Sequence, residues 1–533
     1  MAPTYRVLVT CSLGSAALDR FARQPGFSVL VEDIRDPGVL ARTVPGFHAV
    51  IVRSNVRVTR EVLEAGTDLR VVGRAGIGVD NIDVEAATRL GIAVVNAPGG
   101  NVVTTAEHAL ALLLSLARKI PQACASLKEG RWEKKRFLGR ELRGKTLGII
   151  GVGRVGSVVA DLARGIRMRV IAYDPYLSDE RAAHLGVQRV DLDRLLAESD
   201  AITVHTPLTP ETRGLLGADA LARVKPGVLV VNCARGGIVD EEALEQALEQ
   251  GRVAGAALDV FEQEPPPPKP LYRRDEVVVT PHLGASTVEA QESVAVEVAD
   301  NVISFLTTGV APNTLNAPSV PAETLRRLGP HLDLAERLGI FLAQVMEGPV
   351  EEVEVAAQGQ AATEGLDLVA ASALKGLLSP VLSTRVNLVN APAVARDRGI
   401  RVVTRTSTES GDFTDLLTVE ARGPGGTHRV EGTLFGRREP RMVRYNEFRL
   451  DALPRGNLLL IYNRDVPGVI GNIGTCLGRH GINIAGMYNG RGEPGGVAIS
   501  LVNIDDVAGP EVLEALCALP DILSVRQVIL PDG

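Results

Sequence analysis

The chain has 533 residues, of which 45% are apolar and 23% are charged, and its formal net charge is −7. Single hydrophobic cores stop growing well below this length, so we expect several domains in a soluble globular protein. The acidic balance argues against nonspecific binding to nucleic acid. Neither a signal peptide nor an apolar run of about 18 residues is found, so we expect no membrane association.

The cysteines are few, odd in number and widely separated. No pair has the spacing of a metal site, so we predict reduced thiols, no bound metal and a cytoplasmic location. The five are Cys11, Cys124, Cys233, Cys476 and Cys517.

Two βα arrays follow one another in the first part of the chain. Residues 1–98 alternate short runs rich in Val and Ile with polar helical stretches, which is typical of a parallel sheet covered on both faces. The pattern restarts at Thr146 with the marks of a Rossmann domain. We predict a first lobe of residues 1–98, completed by about 286–316, and a Rossmann domain of residues 99–285.

The remaining sequence has a different pattern. Residues 317–452 mix α and β without a phosphate-binding loop, and we predict a separate α+β domain. Residues 455–533 show the order βαββαβ, which fits a small ferredoxin-like module. The predicted fold class is therefore α/β, with two Rossmann-like parallel-sheet lobes, an α+β intervening domain and a C-terminal ferredoxin-like domain.

A glycine-rich turn lies between a predicted strand and helix. Gly151, Gly153 and Gly156 form G-x-G-x-x-G, which allows a tight turn, close approach of a pyrophosphate and close helix–strand packing. Asp174 ends the next strand, where a carboxylate binds ribose hydroxyls and repels a 2′-phosphate. The pattern predicts NAD in preference to NADP; a simple turn-forming role for Asp174 is the alternative.

Three charged residues follow at strand ends of the same predicted domain. Arg235 can hold a substrate carboxylate through two parallel hydrogen bonds from its guanidinium group. His282 can move a proton near neutral pH, and Glu264 can orient that imidazole. An Arg or His alone at a strand end is more often structural, but the set indicates an oxidoreductase acting on a 2-hydroxy acid.

These motifs carry a family resemblance. LGIIGVGRVG, HTPLTPETRGLL, VNCARGGIVDEEAL and TPHLGAST resemble the D-2-hydroxyacid dehydrogenases. VVGRAGIGVDNID and NRDVPGVIGNIGTCLGRHGINIAGM are similar, more narrowly, to the long-form D-3-phosphoglycerate dehydrogenase family, with its intervening and ACT domains. The resemblance implies NAD-dependent oxidation of 3-phospho-D-glycerate to 3-phosphohydroxypyruvate, the first step of L-serine biosynthesis.

The resemblance also assigns roles to residues. His282 would be the acid/base, Glu264 its partner and Arg235 the carboxylate-binding residue. The residues of the NAD site would be Gly151, Gly153, Arg154, Val155, Gly156, Asp174, Thr206, Cys233, Asp259 and Gly284. The substrate-binding residues would be Arg53, Ser54, Asn55, Arg74 and Lys134. Lys134 and Lys135 match a basic loop that reaches the partner subunit's site; a solvated surface loop is the alternative.

Regulation is implied by the last domain. Asn463, Asp465 and Asn483 match serine-contacting positions of related ACT domains, which pair side by side; plain turn and cap roles are the alternative. We therefore expect L-serine as an effector and a homo-oligomer, either a dimer or a tetramer. In residues 317–452, an arginine cluster would suit either an anion site or a solvated strand. The cluster is Arg438, Arg441 and Arg444.

Two other functions compete with this interpretation. One is another D-2-hydroxyacid dehydrogenase, such as a glyoxylate or hydroxypyruvate reductase, although short reductases of that kind lack an ACT tail. The other is an NADH-sensing binding protein, which would bind the nucleotide without robust turnover.

Overall fold

The computed structural model describes residues 5–359, 364–383, 385–407 and 413–532. It divides into two compact units. The first consists of Met1–Asn96 and Val298–Gly533, and the second is Ala97–Glu297.

A five-stranded parallel sheet in the order β2-β1-β3-β4-β5 opens the first unit. The strands β3 and β5 are buried along their whole length because both faces of the sheet are covered. The strands are β1 (Tyr5–Val9), β2 (Phe27–Val31), β3 (Ala49–Val52), β4 (Val71–Arg74) and β5 (Ala93–Asn96). The helices are α1 (Ser15–Ala22), α2 (Pro37–Thr43), α3 (Arg60–Ala65) and α4 (Val84–Arg89).

The chain returns to this sheet after residue 297. A Cβ at Gly73 on β4 would lie 2.9 Å from the side chains of Val298 and Val302, so glycine permits close packing there. The Asn316 side chain accepts a 2.8 Å hydrogen bond from Val94 N on β5. These contacts support a lobe completed by residues up to about 316, and the boundaries themselves stay a prediction.

The second unit contains a seven-stranded parallel sheet in the order β12-β11-β10-β9-β6-β7-β8. Its strands are β6 (Thr146–Ile150), β7 (Arg169–Tyr173), β8 (Gln188–Arg189), β9 (Ala201–Val204), β10 (Val228–Asn232), β11 (Val253–Leu258) and β12 (Val277–Val279). Its helices are α5 (Val102–Arg118), α6 (Ile120–Lys128), α7 (Arg154–Gly165), α8 (Asp179–Leu185), α9 (Leu192–Glu198), α10 (Ala218–Arg223) and α11 (Glu241–Glu249). Helix α12 (Val288–Thr308) contributes residues to both units.

The strand order of the second unit reverses at β6. The chain adds β7 and β8 on one side of β6 and β9 to β12 on the other side. This change of direction creates the crevice at which doubly wound sheets bind ligands. The glycine turn follows β6, and the loops after β10 and β11 begin at the same edge, where the carboxyl ends of these parallel strands lie. The fold therefore brings the predicted nucleotide and catalytic residues of this unit to one edge.

The middle segment of the first unit packs helices against a six-stranded mixed sheet, in the order β14-β13-β15-β16-β17-β18. Only β13 and β14 are parallel; the other neighbours are antiparallel. The strands are β13 (Glu352–Gln358), β14 (Arg401–Ser407), β15 (Leu416–Gly423), β16 (Gly426–Phe435), β17 (Glu439–Tyr445) and β18 (Phe448–Ala452). The helices are α13 (Ala322–Val345), α14 (Leu366–Leu378) and α15 (Ala391–Asp397).

The C-terminal segment has the predicted βαββαβ order. Its antiparallel sheet runs β20-β21-β19-β22, with both helices on one apolar cluster. The elements are β19 (Gly456–Arg464), α16 (Val469–Arg479), β20 (Ile484–Arg491), β21 (Val497–Ile504), α17 (Pro510–Cys517) and β22 (Ile522–Leu530). The predicted fold class is confirmed in all four parts.

Among the described residues, no single helix is long and apolar enough to cross a membrane. The pair α5 and α6, bent by 63°, passes that test together by length and composition only.

Candidate active site

The glycine turn is built as its sequence predicts. Gly151 has φ 88°, which favours glycine, and a Cβ there would lie 2.6 Å from the Thr206 side chain. A Cβ at Gly156 would lie 2.1 Å from Gly151 O, so the third glycine lets α7 approach the turn. Gly153 is exposed with open space around it and caps α7 ahead of Arg154 and Val155. The helix N-terminus is therefore open to an anion.

Two polar groups beside this turn bear on the cofactor. Thr206 Oγ1 is buried and, within the described part of the chain, has no hydrogen-bond partner. Asp174 accepts hydrogen bonds from Val152 N in the turn at 2.8 Å and from Tyr176 N at 2.9 Å. The open turn, the unpartnered hydroxyl and the half-buried carboxylate of Asp174 together fit a dinucleotide.

Cys233 lies at the end of β10 and is 6% exposed. Burial and the nearby Asp259 carboxylate raise the pKa of its thiol, so the side chain stays neutral. Any contact that Cys233 makes with a cofactor is therefore best made by its backbone.

Asp259 is 0% exposed and organises the loop that carries His282. Its Oδ1 accepts hydrogen bonds from Leu283 N at 2.7 Å and Thr280 Oγ1 at 2.6 Å. Its Oδ2 accepts one from Gly284 N at 2.8 Å. Burial raises the pKa of Asp259, but these hydrogen bonds and one from His108 outweigh it and lower the pKa. The carboxylate is thus ionised and faces protein groups.

His282 and Glu264 form the central pair of the site. His282 Nδ1 lies 2.7 Å from Glu264 Oε2, while Glu264 Oε1 accepts a 3.2 Å hydrogen bond from Phe261 N. Burial raises the pKa of Glu264, but the hydrogen bond and charge of His282 outweigh burial and lower the pKa below its ordinary value. An ionised Glu264 places the proton on Nδ1 and leaves Nε2 as the acceptor. His282 has φ 53°, a strained conformation for a residue with a Cβ.

Arg235 lies on the loop after β10, and that loop contacts the loop bearing Glu264. The Asn232 side chain shapes it by accepting from Ala234 N at 3.0 Å and donating to Arg235 O at 2.9 Å. A Cβ at Gly236 would lie 1.7 Å from Phe261 O, so only glycine allows this approach. The structure therefore brings the loops of Arg235, Glu264 and His282 together.

The substrate residues predicted near the N-terminus belong to the first unit. Arg53 is half-buried after β3, its carbonyl accepts from Asn81 at 3.0 Å, and Ser54 and Asn55 beside it are exposed. Arg74 ends β4 and donates to Ala75 O at 3.0 Å. Both arginines leave adjacent strands at the same edge of their sheet. Their part in substrate binding stays a prediction.

The predicted basic loop is a surface feature of the second unit. Lys134 and Lys135 are exposed, and Trp132 beside them is 81% exposed. Glu133 anchors the loop because its carboxylate accepts a 2.9 Å hydrogen bond from Ser126 Oγ, which lowers the pKa of Glu133. The contact of this loop with a partner subunit stays a prediction.

The three predicted serine contacts do not meet within one chain. Asn463 and Asp465 lie at the C-terminal end of β19, where Asp465 pairs with Arg491 at 3.5 Å. Asn483 precedes β20, whose first residue pairs through β21 with the start of β19. β19 has nine residues, so its two ends are about 26 Å apart at about 3.3 Å per residue. These residues therefore converge only if two copies of the domain adjoin.

The arginine cluster of the middle segment is partly engaged already. Arg441 pairs with Glu439 at 3.2 Å, and Arg444 pairs with Glu431 at 3.1 Å. Arg438 is exposed. An anion site there would have to compete with these carboxylates.

Sequence reasoning missed the residues that hold the catalytic loops in place. His108 and Thr280 both contact Asp259, and Gly236 makes room for Phe261. His108 lies on α5, far from the motifs in sequence, and gave no signal of its own. Gly236 stands inside VNCARGGIVDEEAL, but its Cβ contact depends on a loop about 25 residues later.

Three family models match the chain in order. The D-isomer specific 2-hydroxyacid dehydrogenase NAD binding domain matches residues 110–284. The D-3-phosphoglycerate dehydrogenase intervening domain matches residues 327–446, and the ACT domain matches residues 457–521. NAD as the cofactor of the second unit, predicted from the glycine turn, is confirmed.

Relatives match the chain over nearly its whole length. D-3-phosphoglycerate dehydrogenase of Archaeoglobus fulgidus is 45% identical over 528 residues, which is 98% of this chain and 100% of the relative. The chain belongs to the D-3-phosphoglycerate dehydrogenase family. The enzyme of that name from Methanocaldococcus jannaschii is 44% identical over 94% of both chains.

Among solved structures, the NAD-dependent formate dehydrogenase of Staphylococcus aureus in complex with NAD is similar. It has 31% sequence identity and a TM-score of 0.51, and the match covers 57% of this chain and 96% of that chain. The family resemblance inferred from the motifs is thus confirmed by sequence and by fold.

Proposed function

We propose that this chain oxidises 3-phospho-D-glycerate with NAD to 3-phosphohydroxypyruvate, the step that opens L-serine biosynthesis. The observation that carries the proposal is the 2.7 Å pair of His282 and Glu264, on loops that meet the loop of Arg235 beside a dinucleotide turn. Relatives with the name of this enzyme cover the chain almost from end to end, which supports this substrate over others.

The proton moves through His282. Its Nδ1 faces Glu264, so its Nε2 accepts the proton of the hydroxyl group on C2 of the substrate. The imidazolium that forms is stabilised by the adjacent carboxylate, whose lowered pKa keeps it ionised. Bound NAD supplies the acceptor for the hydride that leaves C2. In the reverse direction His282 returns the proton to the carbonyl oxygen.

Arg235 holds the substrate carboxylate. A guanidinium binds a carboxylate with two parallel hydrogen bonds, and this fixes C2 relative to the imidazole. The contact of Gly236 with Phe261 couples the position of the arginine loop to that of Glu264. Substrate orientation and proton transfer therefore depend on one connected set of loops.

The substrate phosphate needs cationic partners. We assign this role to Arg53 and Arg74 of the first unit and to Lys134 of a second copy of the chain, with Ser54 and Asn55 as neutral hydrogen-bonding residues of the substrate site. The exposed Trp132 and lysines of the basic loop support a homo-oligomer in which that loop is covered. The free cysteines of the described chain fit a reducing compartment such as the cytoplasm.

L-Serine acts at the ACT domain. A site that combines Asp465 with Asn483 requires two chains, because β19 separates these residues within one chain. An aspartate suits the ammonium group of an amino acid, and asparagine amides suit its carboxylate. Such an effector would change affinity through a coupling free energy of about 1–3 kcal/mol.

The test is NADH formation at 340 nm from 3-phosphoglycerate and NAD, with and without L-serine. We expect turnover of 3-phosphoglycerate, little turnover of unphosphorylated D-glycerate, and inhibition by serine. His282→Ala should lack activity, whereas His184→Ala, which removes an exposed histidine of the same unit, should keep it.

Two results would contradict the proposal. Turnover of hydroxypyruvate or glyoxylate with NADH, but none of 3-phosphoglycerate, would make the chain another D-2-hydroxyacid dehydrogenase. Tight NADH binding without turnover of any of these acids would make it a nucleotide sensor.

A further inference from the structure

A buried carboxylate outside the catalytic set lies beneath the loop that carries Glu264. Glu241 is 4% exposed and is the first residue of α11, where Asp240 already supplies the helix cap. The Glu241 carboxylate is therefore needed neither to cap the helix nor, in the proposed function, to bind substrate. Buried carboxylates are rare unless several donors satisfy them.

The donors to Glu241 come from both ends of one loop. We define the Glu264 loop as residues 259–272. Near its start, Glu262 N donates to Glu241 Oε1 at 3.0 Å. Near its end, Lys269 Nζ and Tyr272 Oη donate to Glu241 Oε2 at 2.5 Å and 2.6 Å. One carboxylate therefore ties together two segments about ten residues apart.

The tied segments are those that set the position of Glu264. Phe261 N, next to the residue that Glu241 holds, is the donor to Glu264 Oε1. The Phe261 and Tyr272 rings also meet edge to face, with centroids 5.2 Å apart. Loss of the clamp would release Phe261 and Tyr272 together, and Glu264 lies between them in the loop.

We propose that Glu241 is a positioning residue for the dehydrogenation, because its carboxylate clamps the Glu264 loop and so holds Glu264 against His282. The inference rests on the proposed function. Burial raises the pKa of Glu241, but the hydrogen bonds from Lys269, Tyr272 and Glu262 N lower it, so the clamp is ionised at neutral pH. An ionised clamp gives stronger hydrogen bonds than a neutral amide would.

The unit also contains a matched control. The Asp200 carboxylate accepts from Thr146 N at 2.8 Å and from Lys225 Nζ at 2.7 Å, the same kinds of donor as at Glu241. Asp200 precedes β9 and Thr146 opens β6, so this pair lies at the opposite edge of the sheet from the site. Asp200→Asn removes a similar structural contact without touching the Glu264 loop.

The experiment measures a graded series in the full-length enzyme. We expect kcat to fall about 3-fold in Tyr272→Phe, about 10-fold in Glu241→Gln and about 100-fold in Glu241→Ala, since a misplacement of about 1 Å can cost that much. NADH affinity, measured by fluorescence, should change less than about 2-fold because the glycine turn is untouched. Asp200→Asn should leave kcat unchanged.

A pH profile separates positioning from a merely structural role. In the direction that consumes NADH, activity requires ionised Glu264 and is lost as pH falls through its lowered pKa. Loosening Glu264 from His282 raises that pKa, so the acid limb of Glu241→Gln should lie at higher pH than in the wild type. A shift in Glu241→Gln with none in Asp200→Asn supports positioning. Equal losses of kcat in both variants, or an unmoved acid limb, overturn it.

Hydrogen exchange keeps this inference separate from the proposed function. If the wild type does not use 3-phosphoglycerate, the proposed function fails, and positioning is read with hydroxypyruvate and NADH instead. Backbone exchange in the Glu264 loop should speed up in Glu241→Ala but not in Asp200→Asn. Unchanged exchange in Glu241→Ala would overturn the clamp whatever the substrate.

Discussion

The loops around His282 and the proposed serine-contact residues of the ACT domain are arranged in opposite ways. His282 and Glu264 are 18 residues apart and meet at 2.7 Å, on loops that hydrogen bonds and a glycine contact hold within one chain. Asp465 and Asn483 are equally close in sequence, yet β19 and its neighbours hold them at opposite ends of a sheet.

The difference follows from strand direction. Parallel strands bring their carboxyl ends to one edge, so residues that follow successive strands converge. Asp465 instead follows β19 whereas Asn483 precedes β20, and these two strands run in the same direction because both are antiparallel to β21, so the two residues lie at opposite ends of the sheet. The His282–Glu264 pair is therefore complete within one protomer, whereas the proposed serine site requires two.

The largest expected effect tests the catalytic side of the comparison. His282→Ala should lower kcat about 1,000-fold, the contribution of a general acid–base group. Affinity for NADH, measured by fluorescence, should persist because the glycine turn is separate from His282.

The backbone at His282 supplies the control for that loss. Since φ is 53° there, His282→Asn keeps a residue that tolerates this conformation while removing the imidazole. We expect His282→Asn to be as inactive as the alanine variant but more stable to urea. Recovery of activity with asparagine would mean that backbone geometry, and not the imidazole, limits the reaction.

The next effect concerns the nucleotide. Gly156→Ala places a Cβ 2.1 Å from Gly151 O, so α7 must move away from the turn. NAD should bind at least about 10-fold more weakly, because the helix N-terminus no longer faces the phosphates. Gly165→Ala, in the last turn of the same helix and with open space around it, should bind NAD normally. Equal affinities in the two variants would refute this.

A smaller effect concerns the Asp259 clamp. Asp259→Asn keeps the shape of the side chain but turns an amide NH2 group toward a buried donor, which then lacks an acceptor. We expect the free energy of unfolding in urea to fall by about 2 kcal/mol. Because the folded pKa of Asp259 is below its ordinary 3.8, its stabilisation is present above that pH and is lost as pH falls through the lower value. The stability of the variant should therefore depend less on acid below about pH 4. Parallel acid-unfolding curves would contradict this.

Much of the fold could be predicted because its signals are local. Buried runs such as AVIV and the strand–glycine turn–helix pattern specify parallel sheets and a nucleotide turn without distant contacts. His282 and Glu264 were predictable as a pair because residues after neighbouring parallel strands converge. Their supports were not, since the contact of His108 with Asp259 joins residues about 150 positions apart.

The ACT residues show what a family match in the sequence cannot predict. Asn463, Asp465 and Asn483 were selected by their match to a family site, and that match does not say whether one chain supplies all three. Only the strand register reveals their separation. A sequence pattern identifies residue types, whereas the number of chains in a site follows from three-dimensional distance.

Mixed oligomers test the regulatory side of the comparison. Asp465→Ala and Asn483→Ala should each abolish serine inhibition with little change in kcat. The effect that is lost is the allosteric coupling, which typically changes ligand affinity about 5–150-fold. If each serine site takes Asp465 from one chain and Asn483 from the other, a dimer of the two variants contains one doubly damaged site and one intact site. Co-expression of the differently tagged variants should therefore restore serine inhibition at half the sites.

The matched control is a mixture of Asp465→Ala with Asp465→Asn, in which every site lacks the aspartate and no sensitivity should return. The readout is inhibition of NADH formation by serine, together with calorimetric counting of bound serine per dimer. Failure of the Asp465→Ala and Asn483→Ala mixture to regain any inhibition would place all contacts of a site in one chain. Both residues would then act on serine from within one chain, and the contrast between the two regions would disappear.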